Sequence, residues 1–557
     1  MARQTRALHR VLICAAVIVS ALWFRIPGIQ RAMFRDWVDD SFFYVIIADG
    51  IVEGRGSTSD GIGATNGYHP LWMWVHVAIR YVLEDPLPGL AVMQFLILAA
   101  ALLLLYQYAS SYVSPTAALA LALVAAVETT FLRVLGAGME TGLSFTFLLA
   151  ILCMARQWPL EDLARTRKVV FQAALLGLFL SRLDGGLFWI AIAFTMLIHG
   201  GLSLSSVMQR AWIVTRLFAA PALMAAGYLL FNMWRFGTAM PISGRVKSLD
   251  FSRISAMGLS PYLESAWGRL VVLYAPNGWS WPAGLSPYGS LSGMLNSVFW
   301  VLYFILVILA VLSMIRGLRR RRQFDRSMGV LLVFCGLHTL YYTFLQIDRY
   351  SLSWAHGPEL LLLALAVTWL LAGLAEKFDY GGMKAAAGIV LIATLVVSIW
   401  FVGRHRALHP GTIRDFRSSV RDFRDAVAYI RTHTDENEII ASQSIGFLGY
   451  YSDRRIVSMD GLLNSSSYFR DYLAPGETGR YLRENGVSMI AQSLRRDVDA
   501  VPYMAEVLGV DASDIRIEAE FDATPYVPRR YLIFRLSPES GTADVALKNY
   551  AGDVRGR

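Results

Sequence analysis

Charge is scarce in this chain. Of its 557 residues, 17% are charged and 55% are hydrophobic, with a mean hydropathy of +0.45. Soluble domains carry about 25% charged residues, so a soluble protein is excluded. Cysteine is equally scarce. Cys14, Cys153 and Cys335 all fall inside apolar segments, which rules out a disulfide framework and leaves them as small buried hydrophobes. No histidine spacing resembles a metal site. Basic and aromatic residues are not interleaved as in RNA-binding proteins, so the net charge of +9 is read as membrane topology, with no nucleic-acid partner expected. No repeat is detectable. The first apolar segment lacks a small-residue cleavage site and is read as a retained helix.

What is present is a series of apolar runs long enough to cross a bilayer. Spans are expected at about 9–28, 88–110, 116–132, 140–156, 169–183, 185–200, 214–233, 292–315, 328–345, 357–375 and 385–403. The basic clusters then share one side: Arg156 to Lys168, Arg210 with Arg216, Arg316 with Arg319 to Arg322, and Lys377 with Lys384. By the positive-inside rule that side is cytoplasmic, with the N-terminus. The stretch 70–83, interrupted by His76 and Arg80, is read as a helix lying on the membrane surface. The fold class expected is a polytopic α-helical membrane protein of about eleven spans, residues 1–403. An extracytoplasmic α/β domain follows over 404–557, with a helix at 421–433 and strands at 439–442, 454–460 and 531–536.

Three things face the external side: the loop 29–87, the turn GAGMETG (136–142) and the loop 234–291. The first holds DWVDDSFFY (36–44) and closes with TNGYHPLW (65–72). Adjacent carboxylates, Asp39 and Asp40, are expensive beside a bilayer. They open an amphipathic stretch with Phe43, Ile46, Ile47 and Ile51 on one side, where a helix dipole stabilises negative charge. A cap accounts for one carboxylate but not for two in succession. Glu140 opens another helix; it is either a cap or a third member of an external carboxylate cavity, suited to a general base with an orienting partner.

Arg245 and Lys247 in PISGRVK and Arg349 in DRY are candidate phosphate-binding cations on the same side. Arg182 and Asp184 in SRLDGG read as a local ion pair. His69 and His356 are external histidines, read as hydrogen-bonding groups. The tryptophans of 274–288 read as an interfacial belt.

DDSFFY with TNGYHPLW, then GMETG, then an arginine-tyrosine pair, on this topology, resembles a bacterial branch of the GT-C superfamily, integral-membrane glycosyltransferases that use polyprenyl-phosphate sugars. The tryptophan-tryptophan-aspartate signature of oligosaccharyltransferases is missing, so transfer of a single sugar is favoured. The resemblance implies an inverting transfer to an acceptor hydroxyl on the outer face of the cytoplasmic (inner) membrane. Asp39 or Asp40 would be the base, Asp39 narrowly preferred, and Glu140 would orient. Arg349, Lys247 or Arg245 would balance the leaving phosphate. Asn66, Tyr68, His69 and His356 would contact substrate. The partners implied are a polyprenyl-phosphate-linked sugar donor, a glycan, lipid or protein acceptor, and membrane lipids. Paired acids are able to hold a divalent ion, but a third and fourth oxygen ligand is not evident, so no cofactor or metal is expected. The rival readings are a transporter, which would bury its acids at the bilayer midplane and often carries repeats, a lipid-linked polymer ligase and an envelope scaffold.

Overall fold

The computed structural model describes residues 2–25, 37–127, 129–157, 159–160, 163–198, 203–256, 258–274, 293–320, 323, 325–345, 357–377, 424–522 and 529–537. The apolar runs among them are helical, because a helix satisfies its own backbone where no water can. Among the described residues, three helices are long and apolar enough to cross a membrane: Leu87–Ala109, Leu204–Phe236 and Arg326–Leu345. Shorter apolar helices are Pro115–Ala126, Thr141–Ala155, Leu183–Ile198 and Gly357–Gly373. The run expected as a span at 116–132 is helical over Pro115–Val127 and Thr129–Gly136. The expected span at 385–403 lies outside the described residues, as do Lys384 and the belt tryptophans Trp279 and Trp281. The bundle closes on one apolar core that includes Leu102, Leu105, Ile151, Phe171, Phe188, Leu331 and Leu361.

After residue 424 the polar part of the chain builds an α/β unit. Residues 424–433 are helical. Five strands follow: β1 (Ile439–Ser442), β2 (Arg455–Ser458), β3 (Met489–Arg495), β4 (Ile515–Asp522) and β5 (Arg529–Leu536). Their order is β2-β1-β3-β5-β4. β1 runs parallel to β2 and β3, with Ile440 beside Ile456 and Met489, whereas β5 is antiparallel to β3 and β4. Side chains alternate across a strand. One face of this sheet, with Ala441, Ile490, Leu532 and Phe534, packs on its own helices Thr478–Glu484 and Ala500–Leu508. The opposite face, with Ile440, Met489, Ala491 and Ile533, shares a core with Phe43, Tyr44, Ile47, Trp72 and Met73 of the first external segment.

That shared core changes the reading of the acidic helix. Asp39–Val52 was expected to be apolar on one side only, yet Phe42, Phe43, Tyr44, Val45 and Ile47 are all buried. The second face is covered by helix Ile445–Ser452, with Phe447, Tyr450 and Tyr451 around the Phe42 ring. Helix Pro70–Val82 buries Trp72, Met73 and His76 and leaves Trp74, Tyr81 and Val82 exposed.

Gly446 fixes how closely the two parts approach. A Cβ there would lie 2.0 Å from the Asp39 carbonyl oxygen. Gly446→Ala should therefore cost about 1–3 kcal/mol by overpacking, seen as a lower Tm and faster limited proteolysis within 424–537. Gly227→Ala, whose Cβ meets nothing within 4 Å, should leave both unchanged.

Candidate active site

Asp39 and Asp40 are the first two residues of the acidic helix, and the preceding Val38 has extended backbone. Their side chains do different things. Asp39 Oδ1 accepts the Phe447 N–H at 2.8 Å and Oδ2 accepts the Gly446 N–H at 3.2 Å. These amides belong to the first turn of helix Ile445–Ser452, which has no cap of its own from Ser444. Asp39 therefore caps a helix some four hundred residues further along the chain. Burial raises its pKa to about 6, against the lowering pull of those two amides.

Asp40 is half-buried. Its pKa is raised to about 7, first by burial and then by the neighbouring Asp39 charge; Lys247 pulls the other way, while Asp460 and Glu140 add to the rise. Among the described residues no hydrogen bond is made by its carboxylate. A carboxylate titrating near neutrality and uncommitted to the backbone has the properties of a general base.

Glu140 occupies the N-cap position of helix Thr141–Ala155, but its side chain does not cap that helix. Oε2 accepts from Tyr44 OH at 2.9 Å and Oε1 from Arg182 Nη1 at 2.9 Å, with His69 Nε2 at 3.6 Å. The local pair Arg182–Asp184 exists, at 2.8 Å. It is one link of a longer buried chain. Arg182 Nη2 also donates to Tyr342 OH, which donates to Asp184. His338 Nε2 lies 3.7 Å from Asp184, and its Nδ1 is 2.8 Å from Glu359, which is fully buried. Ionic groups at this depth persist only when paired.

Gly138 lets the turn carrying Glu140 sit against the acidic helix. Its φ is +81°, and a Cβ there would fall 2.7 Å from Ser41 and Trp37. Trp72 Nε1 donates to the Gly138 carbonyl and Gln94 Nε2 to that of Met139.

The other expected site residues divide. The charge of Lys247, on helix Ile242–Ala256, acts on Asp40, Asp460 and His69. Arg245 turns away and stacks over Phe469, 4.7 Å from its centroid. Asn66 is buried and bonded at both ends: Oδ1 accepts from Ile242 N–H and Nδ2 donates to the Met240 carbonyl. Asn66 thus braces the segment that carries Lys247. Tyr68 OH pairs with Ser57 at 2.8 Å. His69 is kept neutral chiefly by burial, which lowers its pKa although Glu140 pulls it up. Arg349 and His356 lie outside the described residues. Sequence reading missed Tyr44, Tyr342, His338, Glu359 and Asp460. Only Asp460 left a local signal, an Asp-Gly step directly after a strand. Among the described residues no group of three or more His, Cys, Asp or Glu is arranged around a metal position.

Comparison with known proteins follows this geometry. Residues 412–534 match a domain of unknown function, DUF8728. No curated protein sequence matches the chain. The oligosaccharyltransferase AglB from Archaeoglobus fulgidus, solved with an inhibitory peptide and a dolichol-phosphate, is similar at a TM-score of 0.52 and 12% identity, covering 95% of this chain and 74% of that one. The Archaeoglobus fulgidus oligosaccharyltransferase tethered to an acceptor peptide with an NVT sequon gives 0.54 and 11%, covering 94% and 74%. The chain has the GT-C fold. ArnT from Cupriavidus metallidurans, bound to undecaprenyl phosphate, aligns over 94% of this chain and 97% of its own at 14% identity, with a TM-score of 0.44. Within the GT-C fold, the acidic helix and the Glu140 turn meet where the helical bundle joins the α/β unit.

Removing Arg182 tests the buried chain. Arg182→Met leaves Glu140 and Asp184 uncompensated and should destabilise the protein by about 3–5 kcal/mol, measured by thermal unfolding in detergent. Tyr44→Phe, which deletes one hydrogen bond to a charged partner, should cost about 1.5–3 kcal/mol.

Proposed function

We propose that this protein is an inverting glycosyltransferase that moves a single sugar from a polyprenyl-phosphate donor to an acceptor hydroxyl at the outer face of the cytoplasmic membrane. The observation that carries the reading is the division of labour in the acidic pair. Asp39 is tied to two backbone amides, whereas Asp40 remains half-buried, beside Lys247, with a pKa near 7. The base is therefore Asp40, in place of the Asp39 that the sequence narrowly favoured. Lipid-linked donors are supported by the GT-C fold and by a similar protein solved with a dolichol-phosphate.

In this mechanism the acceptor oxygen attacks the anomeric carbon as Asp40 takes its proton. The bond from that carbon to the phosphate oxygen breaks on the opposite face, and the lipid phosphate leaves with the electron pair. Lys247 balances the charge that develops. Arg182 is unsuited to that task, because its donors are shared among Glu140, Asp184 and Tyr342. Glu140, held by Tyr44 and Arg182, orients the acceptor from the bundle side. The N-terminus then lies in the cytoplasm and the α/β unit outside it.

Two measurements test the reading in membranes supplied with native polyprenyl-linked donors. Asp40→Asn should lower transfer about 10²–10⁴-fold while the Tm holds, whereas Asp39→Ala should first lower the Tm, through about 1 kcal/mol of lost cap. Wild-type turnover in Asp40→Asn would sink the assignment of the base. The base must be ionised, so turnover should climb as pH rises through about 7, the value to which Asp40 is raised, and a rate that is flat from pH 5 to 8 would contradict it.

A further inference from the structure

Lys247 can act on Asp40 only while the helix that carries it is held in place. Residues 237–241 join that helix, Ile242–Ala256, to the long helix Leu204–Phe236, which Gly237 ends with φ +70°. Side chains from three parts of the chain fix this joint. The Phe236 carbonyl accepts from Ser466 Oγ of the α/β unit at 2.7 Å, and the Ala239 carbonyl from Asn232 Nδ2 at 3.2 Å. The Met240 carbonyl accepts from Thr238 Oγ1 at 3.0 Å and from Asn66 Nδ2 at 3.4 Å. Ile242 N–H then opens the helix, where an amide has no partner in its own helix. It donates to Asn66 Oδ1 at 3.0 Å. Asn66 is 1% exposed. A carboxamide meets a buried N–H and a buried carbonyl at once; an aspartate would lack the donor and a leucine both. The loop of Asn66 is itself pressed on the α/β unit, because a Cβ on Gly67 would lie 2.1 Å from the Leu462 carbonyl oxygen. The same unit meets the helix from the other side, with Gly461 against Val246 and Phe469 under Arg245. Lys247 follows directly on these two seated residues.

We propose that Asn66 is a positioning residue for the transfer: through the first amide of helix Ile242–Ala256 it sets the place from which Lys247 acts on Asp40. This deepens, and rests on, the glycosyl-transfer reading. Asn66 needs no substrate contact for the task, since both ends of its side chain are spent within the protein. The charges acting on Asp40 are Asp39 on its own helix, Glu140 from the bundle, Asp460 from the α/β unit and Lys247. Helix Ile445–Ser452 carries no charged side chain, and Arg80 of helix Pro70–Val82 pairs with Asp49 further along the acidic helix. Lys247 thus supplies the opposite charge against three like ones. If it retreats, the carboxylate form of Asp40 loses support and its titration moves to higher pH.

The full-length protein in nanodiscs, with carbon-13 in its aspartate carboxyls, is titrated by NMR, the Asp40 signal being assigned by its loss in Asp40→Asn. Transfer from native polyprenyl-linked donors is followed on the same samples. Lys247→Met should move the Asp40 titration up by about one pH unit. Asn66→Ala should move it in the same direction and lower transfer about 10- to 100-fold, as for a misplaced catalytic group. In the Lys247→Met background, Asn66→Ala should move it no further, because the two act through one contact. A lower Tm is expected of Asn66→Ala in any case, so the titration decides. Ser466→Ala, which loosens the same joint at Phe236, takes its place if Asn66→Ala does not fold. An Asp40 titration that stays at the wild-type value in the joint variant overturns the positioning role, as does an unmoved titration in Lys247→Met or a further shift in the double variant. None of these touches the glycosyl-transfer reading. Wild type that transfers no sugar from any polyprenyl-linked donor overturns that reading, whatever the titrations show.

Discussion

Everything at the candidate site depends on the Asp39 carboxylate held by the first amides of helix Ile445–Ser452. A helix start leaves backbone N–H groups without partners and carries a partial positive charge. An anion satisfies both, and here the anion comes from the opposite end of the chain. With it in place, Gly446 packs on the Asp39 backbone and Phe447 on Phe42. One face of the sheet then completes its core on the acidic helix. The carboxyl ends of β1 and β2 follow, and with them Asp460. Burying this carboxylate has a cost, visible as a pKa raised to about 6 despite two amide donors.

The second constraint is the charge chain from Glu140 to Glu359. Buried carboxylates need donors, and this chain provides them in series: Tyr44 and Arg182 to Glu140, Arg182 and Tyr342 to Asp184, His338 and Thr339 to Glu359. The acidic helix and the bundle segments that carry Glu140, Arg182, Tyr342 and Glu359 are thereby tied together. The described cations near the acidic pair differ in what they meet: Arg182 is shared among Glu140, Asp184 and Tyr342, Arg245 lies over Phe469, and the charge of Lys247 acts on Asp40.

Local signals were legible in sequence and distant partners were not. The apolar runs, the strands at 439–442 and 531–536 and the helix at 70–83 follow from hydropathy and period, which neighbouring residues determine. The paired acids stood out because adjacent carboxylates beside a bilayer are rare. The role of Asp39 was hidden, since its partners are amides of residues 446 and 447, and amides carry no sequence signature. Arg182–Asp184 read correctly as a local pair because a single residue separates them; the contact to Glu140 needs the fold. β3 and β4 went unread: MIAQSLR and IRIEAEFD mix charged or polar residues into their apolar pattern.

The adjacency of the two aspartates itself explains why both are present. Successive residues at a helix start point about 100° apart, as 3.6 residues per turn requires. Asp39 can therefore reach a neighbouring helix while Asp40, half-buried, points elsewhere. The capping charge raises the proton affinity of its neighbour, the second-largest cause of the Asp40 shift after burial. Like charges side by side hold one carboxyl near neutrality, which is the condition a base at ambient pH must meet. Docking of the α/β unit and the raised proton affinity of Asp40, the proposed base, are thus one arrangement: the residue that secures the domain also exerts the largest charge effect on Asp40.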